Sequence, residues 1–139
     1  MAAASPALRG MQRADAAPSA PKPWATGYVY DDVYQTHELS AGHPESPERL
    51  RAIQAYMTQT GLIDQVTMLD QRVAATEHIL SLHTQEHYDS VQACETTGPV
   101  ALQAVEEILG AVKAVHEGTV RNAFCAIRPP GHHSHNNTA

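Results

Sequence analysis

Cysteine is nearly missing from this 139-residue chain, which holds only Cys94 and Cys125. They are too few and too far apart for a CxxC metal or redox motif, and they build no disulfide framework, which points to a reducing compartment. Cys125 stands in the apolar run Ala123-Phe124-Cys125-Ala126-Ile127 and reads as a small buried hydrophobe. Positive charge is also short: 9 Lys and Arg face 15 Asp and Glu, for a net charge of -6. With no basic stripe, direct binding of nucleic acid through its phosphates is not expected. No apolar run reaches the length of a membrane span, and the N-terminus lacks a hydrophobic signal core. The expected location is therefore cytoplasmic, with the nucleus also open. One local absence matters below: no Asp or Glu stands between Gly118 and Ala139.

What remains is room for one domain at most, with 42% hydrophobic residues, enough for a packed core. Residues 1–24 are rich in Ala, Pro and Ser and read as a disordered leader; Arg9 and Arg13 allow a transit peptide, against which Asp15 and three prolines argue. Order is expected from Thr26. Residues 27–30 read as a short strand of β-formers, and a loop carrying His37 and His43 follows. Ser46 is placed as an N-cap, with Pro47 at the first helical position and Glu48 favourable to the helix dipole. Leu50, Ile53 and Met57 share one face of that helix, and Gly61 ends it. Residues 66–69 form a second strand. Thr76 caps a short helix through Leu82, and Thr84 caps another through about Cys94. Pro99 opens the longest helix, whose Ala101, Ala104, Val105, Ile108, Leu109, Val112 and Val115 predict a wide buried stripe stopped at Gly118. Residues 122–127 then form a continuous apolar strand of the kind buried on both faces of a parallel sheet. Strand, helix, strand, helices, strand is the order of an α/β fold.

In open α/β sheets ligands bind beyond the carboxyl ends of the strands, and there the last strand delivers Arg128-Pro129-Pro130-Gly131-His132-His133. Neighbouring side chains on extended backbone point opposite ways, so two adjacent imidazoles share a pocket only if the chain bends sharply; Pro-Pro-Gly supplies the bend. Of the nine histidines, His78, His83, His87 and His116 fall in or beside helices and read as surface or packing residues. His132, His133 and His135 cluster. Three readings stay open on the residues alone: a metal site of imidazole nitrogens, a proton-transfer site whose metal ligands stand elsewhere, and a solvated loop. The missing carboxylates weaken the first. Ser134 beside His133 makes a poor nucleophile–base pair, because sequence neighbours seldom reach that geometry.

The six-residue stretch Arg128 to His133 resembles the tandem-histidine motif of the zinc-dependent histone deacetylase family, especially its class II and bacterial members. Tyr28-Val29-Tyr30-Asp31 and His43-Pro44-Glu45-Ser46-Pro47-Glu48-Arg49-Leu50 resemble the start of that domain, and Leu82-His83-Thr84-Gln85-Glu86-His87-Tyr88 resembles a further stretch of it. The likeness covers residues 26–139. It implies an arginase/deacetylase-like three-layer α/β fold around a parallel sheet, and hydrolysis of the acetamide of acetyl-lysine, in a histone-like protein, or of an acetylpolyamine. It implies zinc, with ligands downstream of this chain and none within it. His133 takes the place of the general base, His132 that of its companion, and Pro130 and Gly131 fall at the substrate. Two departures accompany the likeness: the family's metal-ligand motif and its oxyanion tyrosine have no counterpart here, and residues 95–100 make a short link without the rim aspartate. The expectation is an N-terminal portion of a deacetylase domain, 25–139, inactive alone. The alternative is a non-catalytic truncated protein that binds a full-length deacetylase.

Overall fold

The computed structural model describes residues 25–70, 75–131, 135 and 137. The expected leader, 1–24, and the pair His132 and His133 lie outside them. The element order is β1 (Thr26–Val29), a 3₁₀ turn (Asp32–Gln35), α1 (Pro47–Gln59), a second 3₁₀ turn (Leu62–Gln65), β2 (Thr67–Met68), α2 (Thr76–Leu80), α3 (Gln85–Gln92), α4 (Gly98–His116) and β3 (Asn122–Cys125). The three strands form one parallel sheet in the order β2-β1-β3. Parallel neighbours need crossover connections, and the helices supply them. Tyr28 pairs with Met68 on one side and Phe124 on the other. The expected α/β class is therefore observed.

Tyr28 is fully buried and its hydroxyl donates to Gln54 Oε1 of α1 at 3.0 Å. Leu50 and Met57 of α1 join Tyr28, Tyr34, Val100, Ala104 and Ala126 in one apolar cluster, with Ile53 packed against it. Each large apolar side chain so buried contributes about 1.5–3 kcal/mol. Gly61 (φ 69°) and Gly118 (φ 73°) follow α1 and α4 in the left-handed region that a side chain resists, which is why these helices stop where they do.

Of three expected caps, two need correction and one holds. Ser46 has extended N-cap backbone, but its side chain caps no backbone N–H; its hydroxyl bonds the Glu48 carboxylate, which this contact holds below the ordinary range. Ala75, not Thr76, occupies the cap of α2, and the Thr76 hydroxyl instead meets the Tyr88 hydroxyl at 3.2 Å. Thr84 does cap α3, accepting from His87 N at 3.2 Å.

The larger corrections concern α4 and β3. The buried set on α4 includes Val100, Ala104, Glu107 and Ala111, the spacing of one helix face. The expected stripe lies mostly off that face: Val105, Ile108, Leu109 and Val115 are partly exposed and Val112 is 60% exposed. Ala104 and Ala111 are small enough to bring α4 onto β1 and β3, and that contact selects the face. The last strand ends at Cys125 and alternates between exposed and half-buried positions, with Phe124 47% exposed. Among the described residues β3 is an edge of the sheet, and Asn122 and Phe124, which share one of its faces, are exposed. Cys94 is exposed and Cys125 half-buried, both free thiols; burial raises the Cys125 pKa, and Glu107 adds to the effect.

Candidate functional site

Beyond the carboxyl end of the sheet the backbone continues its pairing for one more bond, Ala126 N to Val29 O at 2.9 Å, and then releases Arg128. That arginine is 2% exposed. Its Nη2 donates to Glu45 Oε2 at 2.7 Å, its Nε donates to Glu45 Oε1, and its Nη1 donates to the Tyr34 carbonyl at 3.1 Å. This is the fork-to-fork arrangement in which guanidinium and carboxylate bond strongly. The bond from Arg128, ahead of its charge alone, holds the Glu45 carboxyl below its ordinary range. The Arg128–Pro129 peptide is cis.

His37 packs into the same cluster, 6% exposed, with Nδ1 3.3 Å from the Thr97 hydroxyl just before α4. Burial lowers its pKa from 6.5; the Arg128 charge pushes the same way and the Glu45 charge opposes. The sign follows: a histidine held neutral in the fold binds its proton more readily in the unfolded chain. Its contribution to stability is whole above pH 6.5 and is lost as pH falls from 6.5 toward the folded pKa. Stability should thus decline in mild acid with a slope of at most about 1.4 kcal/mol per pH unit from this residue, and His37→Gln should flatten it. Urea unfolding at stepped pH reads the slope; an unchanged slope in His37→Gln would assign it to another group.

A second polar cluster lies behind β1. Asp31 Oδ1 accepts from Val33 N at 2.7 Å, and Asp31 Oδ2 accepts from Gln103 Nε2 at 3.0 Å. Gln103 also donates to Glu107 Oε1 at 2.8 Å. Glu107 is 2% exposed, and neither its Oε2 nor the buried Tyr34 hydroxyl has a hydrogen-bond partner among the described residues. Burial, followed by the facing Glu107 carboxylate, drives the Tyr34 phenol far above its ordinary range, so it stays neutral. An unbonded buried hydroxyl costs about 1–3 kcal/mol. Tyr34→Phe should therefore leave stability unchanged or raise it by up to about 1 kcal/mol; a clear loss in urea unfolding would mean that the hydroxyl is bonded in solution.

The sequence-predicted site residues divide. Pro130 and Gly131 are exposed at the start of the loop, and His135 is exposed further along; His132, His133 and Ser134 lie outside the described residues. His78 stands 3.6 Å from Glu106, His116 is exposed, and the rings of His83 and His87 lie 5.2 Å apart beside α3. Sequence reasoning named Asp31 and Glu45 only within stretches resembling the family and His37 only in a loop, without a role for any of them, and it missed Gln103 and Glu107. Only Arg128 signalled a partner: an arginine ending an apolar strand must find a carboxylate if the strand is buried.

Comparison with known proteins agrees with this fold. Residues 43–139 match the family described as the histone deacetylase domain. The chain belongs to that family. A probable deacetylase of Archaeoglobus fulgidus is 32% identical over 125 residues, covering 78% of this chain and 35% of that protein. Histone deacetylase HDA1 of Saccharomyces cerevisiae is 28% identical over 153 residues, covering 81% of this chain and 22% of its own length. Among solved structures, the crystal structure of the HDA15 HD domain superposes with a TM-score of 0.78 and 27% identity, covering 84% of this chain and 39% of that one. The fold is that of a histone deacetylase domain, in part: the chain spans between about a fifth and two fifths of the relatives it matches.

Proposed function

We propose that this chain is the part of a zinc-dependent deacetylase that carries its proton-transfer histidines, acting on the acetamide of acetyl-lysine in histones or other proteins. The observation that supports it most is the delivery of Pro129, Pro130 and Gly131 from the carboxyl end of β3 by a buried, fork-bonded Arg128, with His132 and His133 next in the chain. In this reading a water oxygen adds to the acetamide carbonyl carbon while His133 takes the water's proton. The C–N bond then breaks, the same proton goes to the leaving amine, and acetate and free lysine result. His132 keeps the neighbouring charge balanced. Pro130 and Gly131 line the substrate side of the loop.

Zinc enters this proposal from the family. The described residues contain no group of three or more His, Cys, Asp or Glu that could hold a metal ion, so they do not fit a zinc site, and its ligands would stand outside them. His133→Ala in the native protein should lower kcat on an acetyl-lysine peptide by about 10²–10⁴-fold, with the fold intact by circular dichroism. Unchanged turnover in that variant would remove His133 from the chemistry. Running an acetylpolyamine beside the peptide decides between the two substrate classes.

A second reading has its own support. The exposed apolar residues of α4, from Val105 to Val115, form a face that fits a protein partner, as a non-catalytic form that binds a full-length deacetylase would need. A native species far above 15.0 kDa that turns over acetyl-lysine favours the enzyme. A native species of that mass which co-purifies with a larger deacetylase favours the binder.

A further inference from the structure

We infer that the Arg128–Glu45 pair is a positioning clamp: it fixes the direction in which the chain leaves β3, and so where the histidines after Pro129-Pro130-Gly131 begin. The inference rests on the deacetylase reading for its purpose and on the geometry for its existence.

A buried ion pair is a poor device for stability alone, since apolar residues of like volume usually do as well or better. What it does supply is orientation. Three bonds from one guanidinium reach both oxygens of Glu45 and the carbonyl of Tyr34, and three fixed points define the plane of a rigid group. The arginine and its two partners belong to three different parts of the chain. Tyr34 lies in the turn after β1, and Glu45 precedes α1, whose first residue Pro47 is buried. Arg128 directly follows the sheet. The clamp therefore refers the exit of β3 to two elements that the core already holds. Little slack follows it, because two prolines with fixed φ separate Arg128 from Gly131. Neither partner is placed to touch substrate: Arg128 is 2% exposed, and the Glu45 oxygens are spent on it. Both are positioning residues.

The test compares Arg128→Lys and the apolar double variant Glu45→Leu with Arg128→Met against the native protein. Arg128→Lys keeps the charge and loses the fork; the double variant keeps the burial and loses the orientation, and circular dichroism checks that each is folded before it is read. Hydrogen exchange at the Ala126 amide, which bonds the Val29 carbonyl at 2.9 Å just before the clamp, should quicken about tenfold, while the amide of Tyr28 holds. On an acetyl-lysine peptide kcat should fall by about 100-fold with KM nearly unchanged, as misplaced catalytic groups do. Exchange at Ala126 that stays at the native rate in both variants overturns the clamp, whatever the activity. Exchange that quickens equally in β1 and β3 also overturns it, by making the pair a plain structural support. A native protein with no deacetylation at all refutes the functional reading instead, and leaves the exchange result to judge the clamp.

Discussion

Glu45→Ala is expected to cost about 3–5 kcal/mol of folding stability, the loss that follows when one partner of a buried pair is removed. The reason lies in what stays behind. Arg128, 2% exposed, would keep only the Tyr34 carbonyl for a full positive charge. The reverse removal, Arg128→Met, should cost less. Glu45 has 14% of its side chain exposed and already meets Arg49 at 3.9 Å, so an abandoned carboxylate there can turn toward water. The apolar double variant should come back close to the native stability, or exceed it. Urea unfolding of the three variants checks the order. A Glu45→Ala loss under about 1 kcal/mol would show that solvent reaches Arg128, since exposed pairs are worth about that. Acid should act on the same pair. The folded pKa of Glu45 is held below 4.5, so its contribution is present above 4.5 and lost as pH falls below it toward the folded pKa. The contribution of His37 is drawn down below pH 6.5, and that of Glu45 only below 4.5.

Gly98→Ala is the other change of large expected effect. A Cβ at Gly98 would stand 2.0 Å from the carbonyl oxygen of Val91 and 3.1 Å from its carbon. Both are backbone atoms, so no rotamer can relieve the contact; α3 and α4 must part. Overpacking usually costs about 1–3 kcal/mol, and a backbone clash belongs at or above the top of that range. Helix propensity argues the other way, by about 1 kcal/mol in favour of alanine, so the sign of the result separates the two effects. Gly110 provides the control on the same helix: a Cβ there meets nothing within 4 Å, and Gly110→Ala should gain up to about 1 kcal/mol. Thermal unfolding of both variants reads the contrast. Equal shifts in the two would mean that α3 and α4 are not seated as described.

Much of the frame was legible in the residues. Thr84 before a helix, glycine after two others, and strands separated by helices each act through local sterics or a single hydrogen bond, which a short stretch of sequence carries whole. The face of α4 was not legible. Apolar residues cover most of its circumference, so periodicity offers several stripes, and the choice is made by the small residues Ala104 and Ala111 meeting the sheet. Glu107 was hidden for the same reason, an acid seated within the face that packs. The cap expected at Thr76 failed because the Tyr88 hydroxyl, 12 residues away, competes for the threonine. Arg128 announced its need for an acid, but its partner lies 83 residues back, and only the strand order brings the two together. The histidines themselves were read from motif resemblance, which owes nothing to packing.

The position of β1 at the centre of the sheet has a consequence for how the molecule is made. The first strand synthesised is flanked by β2 and by β3, the last strand of the described fold, so it waits unpaired on one side until residues 122–125 have emerged. The contacts that finish the fold reach back 83 and 94 residues. Long-range pairing of this kind folds slowly, because loop-closure entropy is lost before the contacts repay it. Through that interval Tyr28 and Val29 are an unfinished apolar edge, and the yield of folded protein should depend on translation speed and on chaperones that shield such edges more than on the final stability of the sheet.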